Sequence, residues 1–183
     1  LAAAELYKSA GCDYIIGAGG GSVLDSAKMI KLLITNNPKT ALTQPMEDND
    51  IGFFAIPTTS GTGSEATRYS IFYVNDVEKH SITHSGFLPD LVLLDESFLT
   101  TVPPYQRRCT AMDALCHAIE SYWNVKSNAE SKEYAARAIK LFVQNKLGYI
   151  VNEQQEKRGM LLASYYACKA INKTSTTSPH AIC

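Results

Sequence analysis

The strongest constraint on the fold is the run Asp13-Tyr-Ile-Ile-Gly-Ala-Gly-Gly-Gly-Ser22, in which a short apolar segment runs straight into glycines. Asp13 to Ile16 reads as a short buried strand. Val23 to Ile34 has apolar residues at helical spacing and stops at Asn36-Asn37-Pro38. A strand, a glycine turn and a helix in immediate succession put this part of the chain in the α/β class. Glycines let a phosphate approach the backbone, and the unpaired amides of a helix N-terminus favour an anion, so the turn suits a diphosphate. A strict Gly-x-Gly-x-x-Gly fingerprint is not met, because Ser22 stands where the third glycine belongs. The same residues also suit a plain tight turn, with Ser22 as N-cap and Asp25 as the acid of a capping box, and the two readings are compatible.

Around this unit the pattern continues. Residues 2–9 read as the end of a helix closed by Gly11. Ile51 to Ile56 is a second buried strand, stopped by Pro57 and followed by Thr58-Thr-Ser-Gly-Thr-Gly-Ser-Glu65, a loop rich in hydroxyls and backbone donors. Two such loops after buried strands match the rule that open α/β sheets bind ligands at the carboxyl ends of their strands. Tyr69 to Asn75 and Lys79 to Thr83 form a hairpin around Asn75-Asp76. Lys79 on that hairpin either reaches a nucleotide phosphate or ribose or is simply solvated, while His80 and His84 read as structural or surface residues. Leu91 to Leu94 is another buried strand, and beyond Pro103-Pro104 the chain turns helical.

Thr110 to Trp123 is a helix with Asp113 and His117 one turn apart on one face, either half of a metal site or a solvated polar pair. Residues 129–147 are an amphipathic helix, Met160 to Ile171 is a third, and the polar segment from Asn172 delivers His180. A net charge of -1 gives no footprint for nucleic acid or an anionic membrane, and no apolar run is long enough to span one. Five cysteines without a Cys-x-x-Cys suit reduced thiols, and hence a cytoplasmic setting. A first residue that is not Met, no signal-peptide pattern, and a last residue, Cys183, inside an unfinished segment lead us to expect an internal fragment of a longer chain.

Four stretches in order resemble the iron-containing (group III) alcohol dehydrogenases: Gly19-Gly-Gly-Ser22 with Asp25 and Lys28; Pro57 to Glu65; Pro89-Asp-Leu-Val-Leu-Leu-Asp95; and Met112 to Tyr122. The resemblance implies an α/β dinucleotide-binding domain over residues 1–98, lacking its N-terminal part, and an all-helical metal-binding domain over 99–183, lacking its C-terminal part. It further implies a metal held by Asp113, His117 and His180, with a fourth ligand beyond Cys183. Gly19, Gly20, Gly21 and Ser22 would take the diphosphate of NAD or NADP, Thr58, Thr59, Thr62 and Lys79 the ribose and nicotinamide side, and Asp25 and His117 would act at the reacting centre. A carboxylate with imidazoles suits Fe(II) or Zn(II), which polarises a carbonyl as a Lewis acid. The implied activity is hydride transfer between nicotinamide and a small alcohol or aldehyde, in a full-length protein expected to be a homodimer. Many members of the family place a glycine where this chain has Cys168. Thr176-Thr-Ser-Pro-His-Ala181 is similar to a subgroup that reduces phosphonoacetaldehyde, with Lys173 and the hydroxyls of Thr174 to Thr177 as candidates for a phosphonate. A glycerol dehydrogenase-like polyol enzyme and a non-catalytic nucleotide-binding fragment remain open alternatives.

Overall fold

The apolar segment after Asp13 forms β1 (Tyr14–Gly19), and the helix that follows its glycines is α2 (Gly21–Leu33), preceded in the chain by α1 (Ala2–Ala10). The structure, a computed structural model, describes residues 2–41, 43–74 and 78–182. β2 (Gly52–Pro57) lies parallel to β1 in the register Tyr14↔Gly52 to Gly19↔Pro57, so both glycine-rich and hydroxyl-rich loops leave the same end of the sheet. Leu24 and Ala27 of α2 pack on Phe53 and Ala55 of β2, with Ile15 against them, and this closes one sheet face.

A hairpin of β3 (Tyr69–Val74) and β4 (Glu78–Thr83) forms as expected; its turn at Asn75-Asp76 lies outside the described residues. Phe72 and Ile82 pack with Phe87 on Met29 and Leu32 of α2. His84 is structural: its Nδ1 accepts from the Gly86 amide at 3.0 Å and its Nε2 lies 2.9 Å from the Met46 carbonyl. His80 stacks on Phe72.

The expected burial of the strands needs correction. β5 is only Leu91–Val92, paired parallel to β2, and Leu91 and Leu93 are more than half exposed, as are Tyr14 and Ile16 of β1. Strand side chains alternate between faces, and among the described residues α2 covers one face only, so half of each apolar run points away from the core.

The chain then becomes helical: α3 (Pro104–Trp123), α4 (Ala129–Ile150), α5 (Gln154–Thr174) and α6 (Ser178–Ile182). Pro104 opens α3, where a missing N–H does no harm. Asn128 and Ser131 form a reciprocal capping box at the start of α4. Phe142, Tyr149, Met160 and Leu161 fill the core with Leu99 and Val102, while Ala118, Ala138 and Ala167 let the three long helices approach closely. α3, α4 and α5 each start earlier or end later than the sequence periodicity suggests, because packing extends the helical turns beyond the amphipathic stretch.

Candidate metal and nucleotide site

The N-cap of α2 is Gly20, with no side-chain hydrogen bond, so the expectation of Ser22 as N-cap is not met. Ser22 lies inside the first turn. Asp25 is also drawn away from any capping box: its Oδ1 accepts from the Ser64 hydroxyl at 2.6 Å and its Oδ2 from the Ile71 amide at 3.0 Å. The helix therefore starts with backbone amides that no side chain occupies, the feature that makes a helix N-terminus an anion site. The hydroxyl-rich loop closes over this turn. A Cβ on Gly20 would stand 3.4 Å from Thr59 Cγ2, and one on Gly21 would meet Thr62 at 2.8 Å, so glycine is what lets the two loops touch. The Thr58 amide donates to the Gly19 carbonyl at 3.0 Å. Gly19 to Ser22 and Thr58, Thr59 and Thr62 thus come together at one sheet end, whereas Lys79 sits exposed on β4 opposite Tyr73. Beside Thr58 and Thr59 opens a cavity of about 450 Å³, walled by Phe98, Val102 and Gln106 among others.

Across from these loops α3 presents Asp113 and His117, and α6 brings in His180. Asp113 Oδ1 lies 3.7 Å from His117 Nε2 and 3.4 Å from His180 Nε2. The two imidazoles stack with centroids 4.4 Å apart and planes within 15°. One ligand atom from each residue falls within 4.8 Å of the others. Donors at roughly 2.1 Å from a tetrahedral ion stand roughly 3.4 Å from one another, so this spacing fits a metal, and two nitrogens with one carboxylate oxygen suit Zn(II) or Fe(II). Burial works to raise the Asp113 carboxyl, but the hydrogen bond from His180 and the charges of both imidazoles outweigh it and hold the group below the usual carboxylate range. Burial lowers His117, and its ring bonds to the Gly61 backbone. His180 is raised, chiefly by its bond to Asp113, with burial opposing and Glu120 assisting.

The fold places these groups through the same loop. Gly61 lies so close to α3 that a Cβ would be 2.6 Å from Thr110 Cβ, and the Ser60 hydroxyl donates to Tyr149 Oη at 2.7 Å. The buried Cys168 thiol donates to the Thr62 carbonyl at 3.1 Å and lies 3.6 Å from His117 Nδ1. Loop, metal helix and α5 meet at one point.

Residues 1–96 match the profile described as "Iron-containing alcohol dehydrogenase", and residues 108–183 that of "Fe-containing alcohol dehydrogenase family, C-terminal". The chain belongs to this family. It is 34% identical to the probable alcohol dehydrogenase EutG of Escherichia coli (strain K12), over 99% of this chain and 47% of that protein. It is also 34% identical to the NADPH-dependent butanol dehydrogenase of Clostridium saccharobutylicum, over 75% of this chain and 37% of that one. The crystal structure of sulfoacetaldehyde reductase from Bifidobacterium kashiwanohense in complex with NAD+ superposes with a TM-score of 0.92 at 29% identity, covering 98% of this chain and 50% of the other. The chain spans about half the length of these relatives or less.

In this member of the iron-containing alcohol dehydrogenase family three further residues surround the site, one that sequence reasoning passed over and two that it assigned to a ligand. Glu120, 2% exposed, takes His180 Nδ1 at 2.5 Å on Oε1 and the Thr177 amide and hydroxyl at 2.6 and 2.8 Å on Oε2. The signal was present, since Glu120 follows Asp113 and His117 at helical spacing on one face. Thr177 and Thr174, read from the sequence as candidates for a phosphonate or as a solvated helix end, are the other two. Thr174 donates to Ser121 Oγ at 3.0 Å, and Lys173 pairs with Glu130 at 3.1 Å. Of the groups expected to meet a phosphonate, Lys173, Thr174 and Thr177 are therefore engaged within the protein while Thr176 is exposed, and the segment from Asn172 is a stitched helix junction more than a solvated tail.

The family chain also carries a buried acid-base cluster. Lys28 Nζ, fully buried, donates to the Thr67 and Tyr69 carbonyls at 3.0 and 2.7 Å and lies 3.6 Å from Asp25 Oδ1. Burial pulls it down to about 8 against the pull of Asp25 and Glu65. Glu65, 2% exposed, has no hydrogen-bond partner on either oxygen among the described residues, and burial pushes it up to about 7 from an ordinary 4.5. Because the folded value exceeds the unfolded one, the unfolded chain loses its proton first, and stability falls as pH rises from about 4.5 to about 7. At ~1.4 kcal/mol per unit the fall is about 3 kcal/mol. Lys28 acts above pH 8, outside this window. Glu65→Gln is expected to flatten the urea midpoint between pH 5 and 7; an unchanged slope would show that Glu65 is already ionised there.

Proposed function

We propose that the chain carries the nucleotide- and metal-binding elements of a metal-dependent, NAD(P)H-linked alcohol dehydrogenase or aldehyde reductase. The observation that carries this reading is the convergence of Asp113 Oδ1, His117 Nε2 and His180 Nε2 beside the loop that closes over the start of α2. In this reading residues 1–98 are a nucleotide-binding domain and 99–183 a helical metal-binding domain. The free amides of Gly21 and Ser22, with Gly19 and Gly20 as the close-approach floor, hold the diphosphate. Thr58, Thr59 and Thr62 orient the ribose and nicotinamide, and the adjoining cavity accommodates a further part of the nucleotide. Asp113, His117 and His180 hold Fe(II) or Zn(II), whose chemistry is Lewis acidity toward a carbonyl oxygen, while the nicotinamide supplies hydride. Asp25 holds α2 to Ser64 and β3, a positioning role in place of the direct one its sequence context suggests, and Lys79 has no part in this assignment.

A metal-dependent reductase loses NAD(P)H oxidation with an aldehyde on chelation and regains it with Fe(II) or Zn(II); activity that survives full metal removal would sink the reading. For the substrate, the likeness to a sulfoacetaldehyde reductase supports an aldehyde with an anionic head group, phosphonoacetaldehyde included. Equal kcat/KM for phosphonoacetaldehyde and an uncharged aldehyde of the same length would remove that preference.

A further inference from the structure

We propose that Glu120 is a positioning residue that sets His180 as a metal ligand before any ion arrives, an inference that rests on the metal-site reading above. A carboxylate this deeply buried is costly unless both oxygens are hydrogen-bonded, and here both are. The division of labour between them is informative. Oε1 faces His180 Nδ1 and holds the proton there, so that Nε2 is the nitrogen that gives up its proton and offers a lone pair when a metal binds. That Nε2 is the atom facing Asp113 Oδ1 at 3.4 Å, next to the stacked ring of His117. Oε2 gathers the amide and hydroxyl of Thr177, the residue before α6.

α6 has five residues and cannot hold its own place by helix propensity. Its approach is fixed by the turn at Ser175, whose carbonyl accepts from Asn124 Nδ2 at 3.2 Å and whose Oγ lies 2.9 Å from Tyr69 Oη. Those contacts anchor the backbone but leave the imidazole free to rotate. Glu120 alone among the described contacts grips both the backbone entering α6 and the ring. Because Glu120 rides on α3 with Asp113 and His117, all three ligands are referred to one helix. A partner that orients the second ring nitrogen of a ligand histidine typically changes metal affinity by roughly 10- to 100-fold.

The test is metal affinity in the full-length protein, read by competition of Zn(II) or Co(II) against a chromophoric chelator, with NAD(H) binding and the melting temperature of the metal-free protein measured alongside. Glu120→Ala is expected to weaken metal binding roughly 10- to 100-fold while NAD(H) affinity stays within about twofold. Glu120→Gln keeps an acceptor for Nδ1 and is expected to recover part of the loss, and it serves on its own if the alanine variant does not fold. Thr177→Val, which removes only the hydroxyl bond, is expected to weaken binding less than either. Unchanged affinity in both Glu120 variants, or a loss that parallels loss of folded metal-free protein, overturns the proposal. If Asp113→Ala also leaves affinity unchanged, the metal-site reading itself has failed; if Asp113→Ala abolishes binding and the Glu120 variants do not, only the positioning role has.

Discussion

Asp113→Ala is expected to yield a folded protein that retains no metal and loses at least about 1,000-fold in kcat/KM for aldehyde reduction. The carboxylate is a third exposed and packs against no core cluster, so its removal leaves the helix core of Leu99, Ala111 and Tyr149 intact, and the melting temperature of the metal-free protein should change little. The site changes far more. Asp113 Oδ1 lies within 3.7 Å of both imidazole Nε2 atoms, and it supplies the negative charge that faces them. Without it, two stacked neutral rings remain, a donor pair that leaves too few ligands for a stable Zn(II) or Fe(II) site. A Lewis acid contributes several kcal/mol of transition-state stabilisation, and ~4 kcal/mol is about 1,000-fold. Metal content by elemental analysis and NAD(P)H oxidation check the two parts separately. Asp113→Asn keeps the shape without the charge and is expected to bind metal weakly. Wild-type activity in the alanine variant, with metal still bound, would move the site elsewhere.

The parts of this fold that were legible in the sequence are those set by local spacing. The strand, glycine turn and helix at 13–34 and the pair Asp113 and His117 needed only periodicity and the residue chemistry of one segment. What stayed hidden depends on contacts between segments far apart in the chain. Ser22 was a reasonable N-cap until Asp25, needed to complete the capping box, turned instead to Ser64 and the Ile71 amide, some forty positions away. Leu91 and Tyr14 read as buried because an apolar strand has two faces and sequence does not say how many are covered. Glu120 was missed because its partners, Thr177 and His180, lie in the short α6 and the turn before it, a segment whose hydroxyls invited a solvated or ligand-binding reading. The hydrogen bonds of Thr174 and Thr177 reverse that reading, since a hydroxyl donating to a buried acceptor is not available to a substrate.

Gly63→Ala is expected to be the most destabilising single methyl that can be added to the loop, on the order of 4 kcal/mol. Gly63 has φ +52, in the left-handed region, where a Cβ costs roughly 1–2 kcal/mol. Its Cβ would also lie 2.3 Å from Cys168 Sγ, 2.4 Å from Cys168 Cβ and 3.0 Å from the Ser164 carbonyl, overpacking that adds about 1–3 kcal/mol. The two causes separate in a double-mutant cycle read by urea unfolding. Cys168→Ala removes the sulfur but leaves its Cβ at 2.4 Å, so it should rescue little. Cys168→Gly removes both atoms and should recover about 2 kcal/mol of the overpacking, set against about 1 kcal/mol for a glycine inside α5. The backbone strain remains in both. Equal rescue by the two variants would mean that the loop moves away from α5 instead of compressing against it. In that case Thr62 would be pulled off the Cys168 thiol, and Gly61 off the His117 ring, so the variant would lose metal affinity along with stability. Recovery of the overpacking share by Cys168→Gly alone, with metal affinity restored, locates that share in the contact where loop, α5 and the metal histidine meet.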